Sequence, residues 1–504
     1  MLKPDRASEA LGQNPYFQRI LALGAGSGLL AVLTAMVVRL SPVLVIGMVG
    51  GVSGSLLFYA WPEIGLLGYF GFRMLADLLW WVPVTFGGLS ILEVLSGGFT
   101  ALAAVLFYIE LRRVERHPVF GALLVYLVVL GLSAVRSLDL RVALEILAKH
   151  MSPFLILFLV TALFKRPADW RKVMALLAVV GLAPLLSSGW HLVGGQMSSV
   201  SLAGLNRLQG GYENLHNQAH MMLILTTIYS FWYFYLPPGW LKRGALMAAG
   251  ASALFLYLSY VRTPLLGLAL FAVLFPALER KWSYVAAVGA AGVVGVIVSD
   301  TMAQRLMDIL LVFEPDDTTV DFLRLGSGRM GIWTVSMSNF LSRPVMDLVL
   351  GAGLGGHFEM VQSYVDQFRS SRGGTLNPHN DYLTLLYQLG PVSVFCYLYM
   401  QAAIIVHALK LKRMTRDPFI GTFTSFAAAL AALVFVTNSV SNSFVERVTP
   451  AMVLWTVAGL VFSQYRWVQH ELAAASAPPE PLPPPGRVSG PRGLSGLPPL
   501  RLRS

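Results

Sequence analysis

The chain has 504 residues, 56% hydrophobic and 12% charged, with a formal net charge of +11 and a mean hydropathy of +0.64. A soluble domain is about a quarter charged, so this composition excludes a soluble globular protein and marks an integral membrane protein. The one cysteine, Cys396, excludes an internal disulfide and a cysteine metal cage.

Residues 1–18 read as a cytoplasmic N-terminal segment. The first apolar run starts near residue 17 and lacks a small-residue cleavage pattern, so it reads as a retained span. Runs of about 20 apolar residues, the length a helix needs to cross hydrocarbon, then recur. They cover 19–40, 42–61, 64–84, 89–111, 118–136, 149–164, 172–193, 215–236, 243–261, 263–278, 282–299, 391–409, 419–438 and 450–467. Strand-like alternation is absent, so helices satisfy the backbone. The chain is expected to be an all-α polytopic helical bundle of about 12–14 spans. It divides into an N-terminal transmembrane bundle (19–299), a large, partly helical periplasmic loop (300–390) and C-terminal transmembrane helices (391–467).

Basic clusters test that layout. "RRVERH" (112–117), "KRPADWRK" (165–172), "KR" (242–243), "ERK" (279–281) and "KLKRMTR" (410–416) fall at every second boundary. They define one face, assigned to the cytoplasm. This bias accounts for the net charge, which in a soluble chain would suggest nucleic acid; no nucleic-acid partner is expected. Residues 468–504, Pro-, Gly- and Arg-rich from Ala473 onward, read as a disordered cytoplasmic tail. Lys149 falls near the opposite face, and residues 137–150 read as an interfacial amphipathic helix.

The opposite face carries residues 194–214, 260–264, 300–390 and 438–450. The stretch 300–390 has six arginines and no lysine. Within it, 327–344 reads as a helix capped by Ser327 and stopped at Arg343-Pro344. "GAGLGGHF" (351–358) is a glycine-rich turn with no preceding strand, a weak nucleotide signal. Residues 358–368 read as a second helix. Asn377-Pro378 makes a turn, 379–389 form three helical turns, and Gly390-Pro391 kinks the chain before the next span.

These outer segments hold the groups capable of chemistry. His379, at the membrane boundary, has an ordinary pKa of about 6.5 and can accept a proton near neutral pH; the alternative is a boundary histidine bonded to a loop carbonyl. Arg262 sits in a minimal turn between apolar runs, where a charge is either functional or snorkels to the interface. Arg207, Arg329 and Arg447 share that face. Arg329 at a predicted helix start is unfavourable for a cation unless an anion binds there. Guanidinium forks suit the oxygens of a diphosphate, and loop or phospholipid contacts are the other reading. Glu446 either joins this group or pairs locally. His216 and His220 have the i, i+4 spacing of a metal pair without a third ligand, and "EPDDTTVD" (314–321) reads as a solvated loop, so no metal site is expected. Arg73 and Asp77 read as a structural pair inside the bundle.

Three stretches together resemble the O-antigen ligase and polysaccharide polymerase superfamily. They are "SYVRTPLLGL" (259–268), "GSGRMGIW" with "SRPVMDLVLGAGLGGHF" (326–358), and "NPHNDYLTLLYQLG" (377–390). The last contains the superfamily's pattern of His, an Asn, Ser or Gln, nine residues and Gly, as His379, Asn380, 381–389 and Gly390. Ser393 stands where Gly, Thr or Tyr is usual. The resemblance covers about residues 200–440.

It implies a GT-C-like membrane glycosyltransferase of the bacterial inner membrane with its active site facing the periplasm. Such an enzyme moves a glycan from a polyprenyl diphosphate to an acceptor sugar hydroxyl without metal or cofactor. Carried over, His379 activates the acceptor hydroxyl, while Arg262 and Arg207 flank the carrier diphosphate. Arg329, Asn380, Tyr382 and Arg447 are expected to bind substrate. The implied partners are the carrier-linked glycan, an acceptor glycan or lipid A–core, the bilayer, and other polysaccharide assembly proteins. The span count and long outer segment lean toward a polymerase, with a ligase as the alternative. A lipid-linked glycan flippase is a further alternative, though its half-to-half repeats are not evident.

Overall fold

The computed structural model describes residues 60–79, 85–86, 89–90, isolated positions between 100 and 108, and residues 117–137, 139–195, 207–298, 319–357, 378–441, 444–445 and 447–476. The helices are α1 (Pro62–Ala76), α2 (Phe120–Val135), α3 (Leu140–Leu163), α4 (Pro167–Val180), α5 (Leu182–Val193), α6 (Leu215–Tyr235), α7 (Trp240–Leu258), α8 (Arg262–Leu278), α9 (Trp282–Val298), α10 (Thr319–Leu341), α11 (Val345–Leu350), α12 (Asp381–Met414), α13 (Pro418–Asn438) and α14 (Val448–Ser476). A two-residue antiparallel pair, β1 (Thr85–Phe86) with β2 (Leu89–Ser90), is the one sheet among the described residues.

Polar caps set several boundaries in this apolar chain. Asp139 accepts from Arg141 N and Val142 N (2.9 and 3.1 Å). Asp417 accepts from Phe419 N and Ile420 N (2.7 and 3.2 Å). Asn214 and Asn380 cap α6 and α12. Each closes a backbone donor that a helix end leaves open.

Five described stretches are long and apolar enough to cross a membrane: Leu140–Leu163, Pro167–Val193, Asp381–Met414, Pro418–Asn438 and Val448–His470. Helices α13 and α14 are buried on nearly all sides, whereas α5 leaves Leu186, Trp190 and Val193 more than 70% exposed. An outward apolar face of that kind belongs in lipid. The protein is an all-α polytopic membrane protein.

Helix pairs α6–α7, α3–α14, α12–α13, α2–α12 and α8–α13 form the main packing. Gly459 lets α14 close on α3, since a Cβ there would lie 2.8 Å from Val160 Cγ1. Hydrogen bonds cross-link the two ends of the bundle separately. At one end Leu208 N donates to Leu258 O and Asn380 Nδ2 to Ser439 O. At the other, Lys412 Nζ meets Glu279 Oε1 at 2.9 Å.

The structure departs from the sequence reading at two places. Residues 137–150 are not a separate interfacial helix: from Leu140 they form the first half of α3. Its charges Glu145 and Lys149 pair along one face (2.5 Å), and Pro153 sits inside without ending it. The helix expected at 327–344 begins at Thr319, so Ser327 is interior rather than a cap. The expected helix 358–368 lies outside the described residues, as do residues 1–18 and 477–504.

The kink at Gly390-Pro391 is present. Gly390 has φ 76° and ψ 176° inside α12. Pro391 has no N–H, so the carbonyl four residues earlier, Tyr387 O, loses its helical donor. Ala352 N supplies one at 2.7 Å, and Gln388 O accepts from Gly353 N (3.3 Å) and Ser133 Oγ (2.7 Å). The glycine-rich turn is therefore a backbone dock for a broken helix, not a nucleotide loop. Backbones touch there: a Cβ on Gly390 would lie 2.2 Å from Val349 O, and one on Gly351 would lie 2.3 Å from Gln388 O. Gly390→Ala is expected to cost at least about 2 kcal/mol, from left-handed φ plus this clash. The check is a lowered thermal midpoint of the purified protein; an unchanged midpoint would contradict the docking account.

Candidate active site

Six basic or imidazole side chains converge at one end of the bundle, five delivered by the start of a helix or by a loop beside one and Arg329 by the interior of α10. His379 precedes the Asn380 cap of α12 and is itself held at φ 53°, in the left-handed region. Such a φ is uncommon outside glycine, though histidine tolerates it better than most. Two bonds fix the segment. Trp333 Nε1 donates to Pro378 O at 2.8 Å, and Asn380 Nδ2 donates to Ser439 O at 2.8 Å while its Oδ1 caps Leu383 N at 3.0 Å. Asn380 is thus occupied in positioning its neighbour.

His216, the second residue of α6, brings its ring to 6.4 Å from that of His379. Arg447, Arg329 and Arg207 lie within electrostatic reach of His216. Arg447 donates to Asn217 Oδ1 on α6. Arg329, on α10, donates to Val440 O and, at 3.3 Å, to Thr263 Oγ1 on α8. That second bond sets Arg329 beside Arg262, the first residue of α8, whose side chain is exposed. Burial and the neighbouring Arg262 both lower the Arg329 pKa from its ordinary value. Arg207 is half-buried, and its Nε has no hydrogen-bond partner.

The helix-start argument for Arg329 fails, because α10 begins ten residues earlier. Its place in the cluster comes from its contacts with Thr263 on α8 and with Val440 in the turn after α13 instead. Tyr382 stands apart: its hydroxyl lies between Gln401 Oε1 (3.0 Å) and Phe435 O (2.8 Å) and ties α12 to α13.

Burial, then the charges of Arg329 and Arg447, push the His379 pKa down to about 4. At neutral pH its imidazole is therefore uncharged, the form that can take up a proton. The site as a whole is cationic through its guanidinium groups. It can hold a doubly negative group beside a neutral proton acceptor.

One residue that sequence reasoning passed over, Asp381, and two that it read in other roles, Asp77 and His216, complete the frame. Asp381, fully buried, accepts from Phe444 N (3.0 Å) and Val445 N (3.3 Å), which fixes the loop leading to Arg447. Asp77, paired with Arg73 at 2.7 Å as expected, also accepts from Thr449 Oγ1 at 2.9 Å and anchors the start of α14. An acid directly after the His-Asn pair was the available signal for Asp381. His216 was read only with His220, whose Nδ1 instead meets His216 O at 2.7 Å. No group of three His, Cys, Asp or Glu side chains that could hold a metal ion exists among the described residues. Glu446 lies outside them.

Comparison with known proteins bears on this arrangement. No curated protein matches the chain. Residues 247–398, from within α7 to the first half of α12, match the family model described as O-antigen ligase. That segment contains Arg262, Arg329, His379 and Asn380; Arg207 and Arg447 lie outside it. Over that segment the chain is similar to the O-antigen ligase family.

Proposed function

We propose that the protein transfers a glycan from a polyprenyl diphosphate carrier to an acceptor sugar hydroxyl at the periplasmic face of the inner membrane. The observation that carries this reading is His379 beside Arg329 and Arg447, with Arg207 near its neighbour His216 and Arg262 near Arg329. The arginines hold the carrier diphosphate and meet the charge that grows as it leaves. His379 takes the acceptor hydroxyl proton as that oxygen attacks the anomeric carbon. One C–O bond forms as the bond to the diphosphate breaks, so in-line attack inverts the anomeric centre. His216 packs against His379 and fixes its ring.

A pH dependence follows. The arginines that depress His379 are neutralised when the diphosphate binds, so its pKa rises in the complex. A base works only above its pKa. The acid limb of kcat/KM, which reports the free enzyme, is expected near pH 4, and that of kcat at higher pH. Coincident limbs would remove the link between diphosphate and His379.

The acceptor divides two readings. In the polymerase reading the growing chain passes to the next repeat unit on its own carrier. In the ligase reading it passes to lipid A–core. The test is a gene deletion restored with wild type or His379→Asn, with glycans resolved by gel into carrier-linked, lipid A-linked and secreted pools. Long carrier-linked chains missing from lipid A identify a ligase; single repeat units identify a polymerase. A wild-type profile from the variant rejects both.

A further inference from the structure

The end of the bundle away from His379 holds a cavity of about 260 Å³ between the start of α2, the end of α3 and the last turns of α14. Four basic or imidazole side chains line it, His117, Lys165, Arg466 and His470, together with Phe462 and Trp467. No carboxylate is among its described lining residues. His117 is 5% exposed, and neither of its ring nitrogens has a hydrogen-bond partner. Its ring stacks on Phe462 (centroids 5.6 Å, planes 5° apart) and meets Phe120 edge-on. Aromatic walls hold the ring in place and supply no acceptor. A buried donor left unmatched is destabilising, and an incoming oxygen would relieve it.

Depth argues for what arrives. Arg447 stands just before α14 and Arg466 near the end of its apolar span Val448–His470, about 28 Å apart along the helix at 1.5 Å per residue. That is close to the thickness of the hydrocarbon layer. The cavity therefore opens at the membrane boundary opposite the candidate active site. Trp467, 39% exposed beside it, is the residue type that settles at headgroup level. Phe462 and Trp467 give the cavity an apolar wall next to its cations.

We propose that this cavity binds the phosphate headgroup of an anionic lipid in the leaflet opposite the transfer site. Arg466 and Lys165 contact the phosphate, one His117 nitrogen gains its missing partner, and the glycerol and upper acyl chain lie along Phe462 and Trp467. Basic pockets between helices at this level suit such headgroups. Inorganic phosphate offers the same oxygens without the apolar part. The inference is independent of the glycan-transfer reading, because it involves none of the same residues.

The test is thermal unfolding of the full-length protein in neutral detergent with phosphatidylglycerol, phosphatidylcholine or inorganic phosphate added. Phosphatidylglycerol is expected to raise the midpoint by several degrees, phosphatidylcholine not at all, and Lys165→Gln with Arg466→Gln to abolish the rise. Arg466 is half-buried, so Lys165→Gln with His470→Gln serves as a second variant; both side chains are exposed, the lipid-free midpoint should hold and the rise should shrink. An equal rise in wild type and both variants would overturn the site, as would no rise in wild type. A rise from inorganic phosphate equal to that from phosphatidylglycerol would overturn the lipid as its ligand.

Discussion

His379→Asn is expected to cut the rate of glycan transfer by about 10²–10⁴-fold, the usual worth of a positioned general base, with little loss of stability. Asparagine tolerates the left-handed φ of 53° that position 379 adopts and keeps a polar group of similar reach, yet it cannot take a proton. Alanine at the same position keeps the backbone strain and adds a stability loss that confuses the result. Binding of the carrier diphosphate should survive His379→Asn, because the arginines carry it. The loss therefore falls in kcat rather than KM. Initial rates on the purified protein decide this; a loss confined to KM would make His379 a binding residue.

Asp381→Ala should act through structure. The carboxylate is fully buried at the first turn of α12, where the helix dipole favours it, and it receives the N–H groups of Phe444 and Val445. Truncation leaves both donors without an acceptor, at roughly 3 kcal/mol by the cost of hydrogen bonds to a charged partner. The loop they belong to runs into Arg447, which donates to Asn217 beside His216. A lower thermal midpoint and a raised KM for the carrier-linked glycan are expected together. Asp381→Asn keeps one acceptor oxygen and should recover part of both. A fall in stability with KM unchanged would show that Arg447 is held independently of Asp381.

Local chemistry was legible in the sequence where one residue decides the outcome. Pro391 has no N–H and Gly390 accepts positive φ, so the break in α12 could be read directly. Arg73 and Asp77 are one helical turn apart and do pair. Helix starts were less legible where packing overrides local preference. Gly326 and Gly328 mimic a breaker followed by a Ser cap, but each costs only about 1 kcal/mol in a helix, and α10 runs through them. Glu145 and Lys149 imitate an interfacial face, yet they sit in a continuous α3.

The site was legible as a list and not as an assembly. The arginines come from α8, α10 and the loops before α6 and α14, and nothing in their spacing says that they meet. His216 joined the site through the tertiary approach of α6 to the His379 turn. Tyr382 went the other way, because the helix that starts at Asp381 turns its ring toward α13.

Release of polyprenyl diphosphate by the purified protein tests the central claim most directly. In detergent there is no second compartment, so a transporter leaves the glycan on its carrier. The account predicts release that depends on an added acceptor, equals the glycosidic product mole for mole, gives an inverted anomeric centre and disappears in His379→Asn. Movement of carrier-linked glycan across vesicles without any release, or release unaffected in His379→Asn, would contradict it.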